Sequence, residues 1–558
     1  MNKKFYSDKK DNHAIVLGTS GSGKTQKVLL PNIEYMATHH KPNLVLTDPK
    51  GEILSLSGNI LKENGYDIKV LDLMNIKDSI LWNPLFPAWE AIHKSPKNLN
   101  LTLKEQENEN ADEEITMKVS EWEIAEAFKE IETLVDAIAI GISDGGSKRD
   151  IWERNGKVTV NIILKFMLLY SIQEASFKLE NFNLSSVLEF LELQQFKNGA
   201  WTKILQQNKE QQYWKSLFDI WKTQASINDD TLTSTLFNAT DIIGPFSKNP
   251  ELVTLTSRNN FVLSELFKES PEKPFALYIR YNDAEASTKF LITIFVTQVY
   301  NAAIKFTRTI KNNQLPRSLY FLLEEFNTLA NIDIADWMAI SRSRKIFFML
   351  ILQDFEQLAK YANGRKGDEL IKNQAQILYY LHTNSVDSMN TISKLLGKVE
   401  VEKVSTTASK NGTSESTSII EKDLMSVDEL KTKDTDEMIV FTAGYKPFLF
   451  KPKPFYKMHD LSKLEKYVVE RQWNENKDNS IFSFDYSSML KKKVKKELPT
   501  QENKNSPSHY DEEIAKNTSD NRIKLPEVAL PKQQDTPPEL LAQQNYSYAK
   551  VLLRSIDE

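Results

Sequence analysis

Cysteine is absent from the 558 residues. That removes disulfides, thiolate metal sites and cysteine nucleophiles together, and it suits a reducing cytoplasm. A surplus of positive charge is missing too. Lys and Arg number 71 against 76 Asp and Glu, a formal net charge of −5, so the chain as a whole is not a basic nucleic-acid binder. Any DNA contact must come from local patches or from a ring of subunits. Long hydrophobic runs are scarce. The longest, Val158 to Ile172, is broken by Asn161 and Lys165 and is too short and too polar to span a bilayer. The start, Met1-Asn2-Lys3-Lys4, is polar and has no leader-like apolar stretch. These absences predict a soluble or peripheral protein. An apolar fraction of 40% is enough for a sizeable core, and the length predicts two or three domains at about 100–200 residues each.

Glycine is sparse as well, at 17 residues, yet Gly18, Gly21 and Gly23 fall within one octet. Gly18-Thr19-Ser20-Gly21-Ser22-Gly23-Lys24-Thr25 fits G-x-x-x-x-G-K-[ST], the phosphate-binding loop of nucleotide hydrolases. Polyphosphate oxygens need a ring of inward backbone N–H groups, and small residues let the backbone come that close. Lys24 is placed for the β and γ phosphates of ATP. Thr25 offers a hydroxyl to Mg²⁺ and opens a helix whose positive end faces the anion. Residues 13–17 read as a buried strand running into the loop, and residues 25–30 as a turn or two of helix stopped near Pro31. Strand, glycine loop, helix is the order that supports the motif.

Further strands are expected at residues 42–48, 68–73, 275–279, 318–323, 346–352, 377–382 and 438–442. A helix is expected from Pro49-Lys50-Gly51-Glu52 to about Asn64, and a long amphipathic one over residues 287–309. Alternating strand and helix argue for a mostly parallel α/β sheet covered on both faces. Residues 97–149 differ in character. Acids far outnumber bases between Lys104 and Glu132, and the favoured reading is a solvated insertion, part disordered and part helical. A docking surface for a basic partner is the sharper alternative. Residues 150–270 read as an all-helical domain inserted into the sheet domain. Its aromatics Trp201, Tyr213, Trp214, Phe218 and Trp221 are read as core in preference to base-stacking platforms. Residues 403–418, polar and Ser/Thr-rich, are expected to form a flexible loop. Residues 461–558 form a polar, largely disordered tail with a basic run at 491–496, and 539–556 are read as a short binding helix. The nucleotide domain is thus expected in two parts, 1–96 and 271–460.

A phosphate loop needs a partner strand ending in acids. Leu319 to Leu323 followed by Glu324-Glu325 supplies one. In such sites the first acid holds Mg²⁺ and the second polarises the attacking water, which assigns Glu324 to the metal and Glu325 to the water. The usual metal acid is Asp, and Glu adds one methylene. Arg342, within Ser341-Arg342-Ser343-Arg344-Lys345, suits the charge that builds on the γ-phosphate and would come from a neighbouring subunit. A surface basic patch is the plainer reading of the same run. Gln353, ending the strand at 346–352, is placed to sense the γ-phosphate, and Asp48 is expected on the same sheet edge.

Taken together, these stretches resemble the VirD4/TraG family, the coupling proteins of conjugation and type IV secretion. The matching residues are His13 to Thr25, Thr47-Asp48-Pro49-Lys50-Gly51-Glu52, Trp82-Asn83-Pro84-Leu85, Phe321-Leu322-Leu323-Glu324-Glu325-Phe326, Arg342-Ser343-Arg344, Ile351-Leu352-Gln353, Ile392-Ser393-Lys394-Leu395-Leu396-Gly397 and Met425-Ser426-Val427-Asp428-Glu429-Leu430. They cover about residues 12–457 in family order. The resemblance implies a RecA-like P-loop NTPase domain interrupted by an all-α domain. It implies a hexameric ring that hydrolyses ATP with Mg²⁺ at subunit interfaces. Such a ring recruits the relaxase–DNA complex to secretion channel proteins at the inner face of the cell membrane, and moves single- or double-stranded DNA or a protein substrate. Arg342 resembles the family's arginine that acts across the interface, and Gln353 its sensor glutamine. Two departures stand out: Glu324-Glu325 replaces an Asp-Glu pair, and the family's N-terminal transmembrane helices are not seen, so anchoring falls to a partner or to a lost segment. A non-hydrolysing, nucleotide-switched adaptor and an FtsK-type DNA translocase are the competing readings.

Overall fold

The strands are β1 (Ala14–Gly18), β2 (Asn43–Asp48), β3 (Asp67–Asp72), β4 (Phe275–Arg280), β5 (Leu319–Leu323), β6 (Ile346–Leu352), β7 (Ile377–His382), β8 (Lys398–Ser409), β9 (Gly412–Asp423), β10 (Met438–Thr442) and β11 (Phe448–Phe450). The computed structural model describes residues 12–93, 119–142, 151–174, 176–282, 289–330, 332–362, 367–409, 412–469 and 471. Among these, nine strands form one sheet in the order β11-β10-β7-β1-β6-β5-β2-β4-β3. From β7 to β3 every pairing is parallel. At the other edge β10 runs antiparallel to β7, and β11 antiparallel to β10. Strands β1, β2 and β6 are buried along their whole length, which is why each reads as a nearly unbroken apolar run. All eight strands expected from the sequence are present.

The described residues between β3 and β4 are mostly helical, yet the two strands lie side by side, with Asp67 opposite Phe275 and Asp72 opposite Arg280. The insertion leaves and re-enters the sheet between neighbouring strands and so does not disturb the parallel ladder. Its core is aromatic. Phe166 meets Trp201 edge-on at 5.1 Å and Trp214 at 6.0 Å, and Trp201, Trp214 and Trp221 are buried. Tyr213 and Phe218 pack against the same cluster. The aromatic stripe is core, as expected.

Three expectations need correction. Pro31 does not stop the helix after the phosphate loop. A π-helical turn, Thr25–Leu29, runs straight into an α-helix, Leu30–His39. Pro31 lies just inside this α-helix, and the preceding π-helical turn, with Leu30 N–H bonded to Thr25 O, carries the chain through it without a break. Residues 121–142 are helical, as part of the expected insertion was, but they are not merely solvated. They form a helix with Ile124, Ala127, Ile131, Leu134, Val135 and Ile138 buried in the core. Those residues recur at three and four positions, so the acids occupy the opposite stripe. Residues 94–118 and 143–150 lie outside the described residues. Third, the described residues of 403–418 belong to two paired antiparallel strands of twelve residues each, β8 and β9, and not to an irregular loop. Its Thr and Val content favours strands, a signal outweighed in the sequence by its polarity. Every described residue belongs to one compact unit, Met1–Leu498. The expected disordered tail, its basic run and its short helix lie outside the described residues, except for 461–469 and 471. The segment around Tyr467 packs on the Glu52–Glu63 helix, its N–H donating to Ser55 O at 3.1 Å.

The Lys289–Arg308 helix is long and apolar enough to cross a membrane by length and composition. Phe290, Leu291, Ile294, Phe295, Val299 and Ala303 on it are nevertheless buried within the core.

The strands flanking the insertion are pinned by an ion pair. Arg280 Nη1 donates to Asp72 Oδ2 at 2.5 Å. Asp72 Oδ1 accepts the N–H groups of Met74 and Asn75, both at 3.0 Å. Burial raises the Asp72 pKa, and the Arg280 charge opposes that rise. Arg280→Ala strands this carboxylate in the interior and is expected to cost about 3 kcal/mol, read from denaturant unfolding. A variant as stable as the parent would contradict the role given to the pair.

Candidate functional site

The loop between β1 and the π-helical turn needs its glycines. A Cβ on Gly18 would lie 2.4 Å from Ser22 Oγ. Gly23 has φ +91°, a left-handed backbone that side-chain-bearing residues rarely adopt. Thr19 N–H donates to His382 O at 2.9 Å, and Ser22 Oγ donates to Thr19 O at 2.8 Å. The loop is thereby tied to the end of β7 and closed on itself. Gly21 and Ser20 form its exposed tip. Lys24 is buried, and its ammonium donates to Gly18 O at 2.5 Å and to Thr19 O at 3.3 Å. Burial lowers its pKa, and the negative charges of Glu325 and Glu324 oppose the fall.

The acids arrive from two strands away. β5 lies beside β6, and β6 beside β1, so Glu324 and Glu325 emerge at the same carboxyl edge as the loop. Thr25 Oγ1 donates to Glu324 Oε1 at 2.5 Å. Burial raises the Glu324 pKa to about 7; the Thr25 bond opposes this, while the charges of Asp48, Glu325 and Glu52 add to it. Glu325 has a left-handed backbone, φ 49° and ψ 53°, a costly conformation for a non-glycine residue that tends to occur at functional sites. Gln353 Nε2 reaches both of its carboxylate oxygens, at 3.3 and 3.2 Å. Asp48 ends β2 on the same edge, fully buried, with Oδ2 accepting the Leu54 N–H at 2.9 Å.

Thr25 and Glu324 present two hard oxygen donors in contact. Among the described residues no cluster of three or more His, Asp or Glu suited to a metal exists. That pattern suits Mg²⁺, which takes one or two protein oxygens and fills its remaining positions with phosphate and water.

Arg342 is not part of this constellation within one chain. It precedes β6, in the Arg342–Arg344 turn, whereas Gln353 follows it. Seven residues of strand separate them, roughly 20 Å. Arg342 therefore lies at the amino edge of the sheet and is exposed.

Sequence reasoning missed several members. Thr47 Oγ1 donates to the backbone O of Glu324 at 2.9 Å, fixing the acid turn. Thr383 Oγ1 donates to Gln353 O at 3.1 Å. Lys27 Nζ donates to Thr435 O at 2.9 Å and lies 3.5 Å from Asp436, holding the 433–437 turn beside the loop. Buried His13 accepts the Phe348 N–H on Nδ1 at 3.1 Å, so its Nε2 carries the proton and donates to Met338 O at 2.9 Å. Burial drops its pKa to about 4, and the neutral ring ties β1 to β6 and to the Ile334–Ser341 helix that carries Arg342. Thr47 stood inside a quoted motif. The others depend on pairings between distant segments that one chain does not announce.

A parallel sheet with a glycine loop and a strand-end acid pair on one carboxyl edge defines a P-loop NTPase fold of the RecA-like kind. The family model for type IV secretory system conjugative DNA transfer matches residues 1–480, and the chain belongs to that family. Conjugal transfer protein TraG of Escherichia coli is 24% identical over 234 residues, 38% of this chain and 36% of that protein. The match thus spans about a third of that relative's length. Among solved structures, the unbound monoclinic form of the bacterial conjugative coupling protein TrwB superposes with a TM-score of 0.51 at 15% identity, covering 79% of this chain and 84% of that one. TrwB in complex with the non-hydrolysable ATP analogue ADPNP gives 0.50 at 15% identity, covering 79% and 85%. These likenesses support the fold.

Because Glu324 has a pKa of about 7 when folded and about 4.3 when unfolded, the folded state holds an extra proton between those values. Stability is therefore lost as pH rises through that window. Without nucleotide, the wild type is expected to lose about 2–3 kcal/mol more than Glu324→Gln between pH 5 and pH 8, measured by urea unfolding. Parallel pH profiles would contradict the assignment.

Proposed function

We propose that the chain is an ATP-driven coupling protein of conjugative DNA transfer, working as a ring, most simply a hexamer. The observation that carries this reading is the contact between Thr25 and Glu324, which puts the phosphate loop and the acid pair around one space. Family membership and the TrwB complex with ADPNP support it.

In this reading Lys24 leaves the loop carbonyls and holds the β and γ phosphates of ATP. Thr25 and Glu324 hold Mg²⁺, which when bound neutralises charge on the phosphates. Glu325 orients the attacking water and draws on its proton as the oxygen bonds to the γ-phosphorus and the bridge to ADP breaks, giving ADP and phosphate. Gln353, bonded to both Glu325 oxygens, reports the loss of the γ-phosphate. Arg342, at the far edge of its own sheet, serves the site of the next subunit, so turnover requires assembly. The work is recruitment of a relaxase–single-stranded DNA complex and its delivery to secretion channel proteins at the inner face of the membrane.

The test is ATP hydrolysis with single-stranded DNA at concentrations where the protein oligomerises. Lys24→Ala, Glu325→Gln and Arg342→Ala are each expected to lower turnover by at least about a hundredfold. Mixing Lys24→Ala with Arg342→Ala restores part of it, because one supplies the arginine and the other the intact loop. Absence of recovery contradicts the role across the interface. Nucleotide binding without DNA-stimulated turnover in the wild type contradicts the motor and favours a switched adaptor.

A further inference from the structure

The turn between β2 and the Glu52–Glu63 helix spans the gap between the acid strand and the phosphate loop. β2 runs parallel to β5 with Thr47 opposite Leu323, so Asp48 and Glu324 leave the sheet side by side. The next three residues, Pro49-Lys50-Gly51, carry the chain to Glu52, whose Oε1 accepts from Gln26 Nε2 at 2.6 Å. Gln26 directly follows Thr25. The turn is therefore fixed beside Glu324 at one end and beside Thr25 at the other, with Lys50 at its middle.

The neighbours of Lys50 are committed elsewhere. Asp48 is fully buried and turned inward, its Oδ2 accepting the Leu54 N–H at 2.9 Å. Gly51 has φ 70°, a left-handed backbone that suits glycine, and a Cβ there would lie 2.8 Å from Arg280 Nη2. The Arg280–Asp72 pair thus fills the space under the turn, and glycine lets the chain reverse above it. Lys50 itself is exposed, and among the described residues its ammonium has no hydrogen bond or ion pair. Lys27 and Arg280, two other cations at this edge, already face Asp436 and Asp72. The charge of Lys50 nevertheless reaches the loop. Burial lowers the Lys24 pKa and Lys50 lowers it further, while Glu325 and Glu324 oppose the fall.

A lysine on a flexible four-carbon stem is a mobile point charge suited to a phosphate. The γ-phosphate spreads its charge over three oxygens as it transfers, more than Lys24 alone can cover. We propose that Lys50 is a second cation of the phosphate site, its ammonium moving from solvent onto the γ-phosphate from the side of the acid strand, within the same chain as Lys24. This rests on the nucleotide reading of the site. It divides the work: Lys24 holds the β and γ phosphates together, whereas Lys50 meets the γ-phosphate alone and so distinguishes ATP from ADP.

The experiment measures binding of ADP and of a non-hydrolysable ATP analogue, each with Mg²⁺, to the full chain, with ATP turnover beside it. Lys50→Met is expected to weaken the analogue about tenfold. It leaves ADP affinity and the thermal midpoint unchanged, because ADP lacks the phosphate that Lys50 takes. Turnover falls about a hundredfold, and Lys50→Arg, which keeps the charge, restores most of both. Mixing Lys24→Ala with Lys50→Met gives no recovery, since the two lysines serve one site in one chain. Equal losses of analogue and ADP, analogue binding indifferent to Lys50→Met, or recovery in that mixture would each overturn the proposal. The binding ratio requires no turnover. A wild type that binds the analogue without hydrolysing it sinks the motor, while the same tenfold loss in Lys50→Met still supports Lys50.

Discussion

The hydrogen bond from Thr25 to Glu324 closes a loop of about three hundred residues, and the rest of the site depends on it. It exists only because β1, β6 and β5 lie side by side and point the same way. That order brings a glycine loop, two carboxylates and a glutamine to one edge, where the helix following the loop adds its positive end. The buried strands do the positioning. Interiors are packed too tightly for a strand to slide, so Lys24, Glu324, Glu325 and Gln353 are held by elements that cannot shift independently.

The same packing links the two edges of the sheet. Neutral His13 joins the strand that ends in the loop to the helix that leads to Arg342. At the carboxyl edge, Gln353 is followed by Phe355, whose N–H donates to Ser388 Oγ at 2.9 Å. Glu356 accepts from Ser385 and Ser388 at 2.6 and 3.2 Å. This network roots the Val386–Leu396 helix, which runs directly into the β8–β9 hairpin. A second root is the capping box of Ser426 and Glu429 at the hairpin's other end. Changes at Gln353 thus have a short, fully bonded route to the hairpin.

Much of this was legible in the sequence, for physical reasons. Central parallel strands are buried on both faces, so residues 14–18, 43–48 and 346–352 stood out as continuous apolar runs. The loop's glycines and the paired acids followed from the needs of a polyphosphate. Strand order was not legible, since nothing in residues 319–323 says that β6 will separate them from β1. Pro31 misled because a π-helical turn ahead of it carries the helix through it. The Glu121–Ile142 helix was hidden by its acids, which cover one stripe while Ile124, Ile131 and Ile138 fill the other. The hairpin at 398–423 was hidden by Ser and Thr, which serve strands and loops alike. The roles of Lys27, Thr383 and His13 rest on partners hundreds of positions away or on backbone atoms, and neither leaves a spacing to read.

The most direct measurement is an experimental structure of the protein with Mg²⁺ and a non-hydrolysable ATP analogue. The account predicts the triphosphate inside the 18–25 loop, the Lys24 ammonium on its β and γ phosphates, the metal on Thr25 Oγ1 and the Glu324 carboxylate, and Glu325 within one water of the γ-phosphorus. A nucleotide bound elsewhere, or Glu324 turned away from the metal with Thr25 unshared, would contradict it.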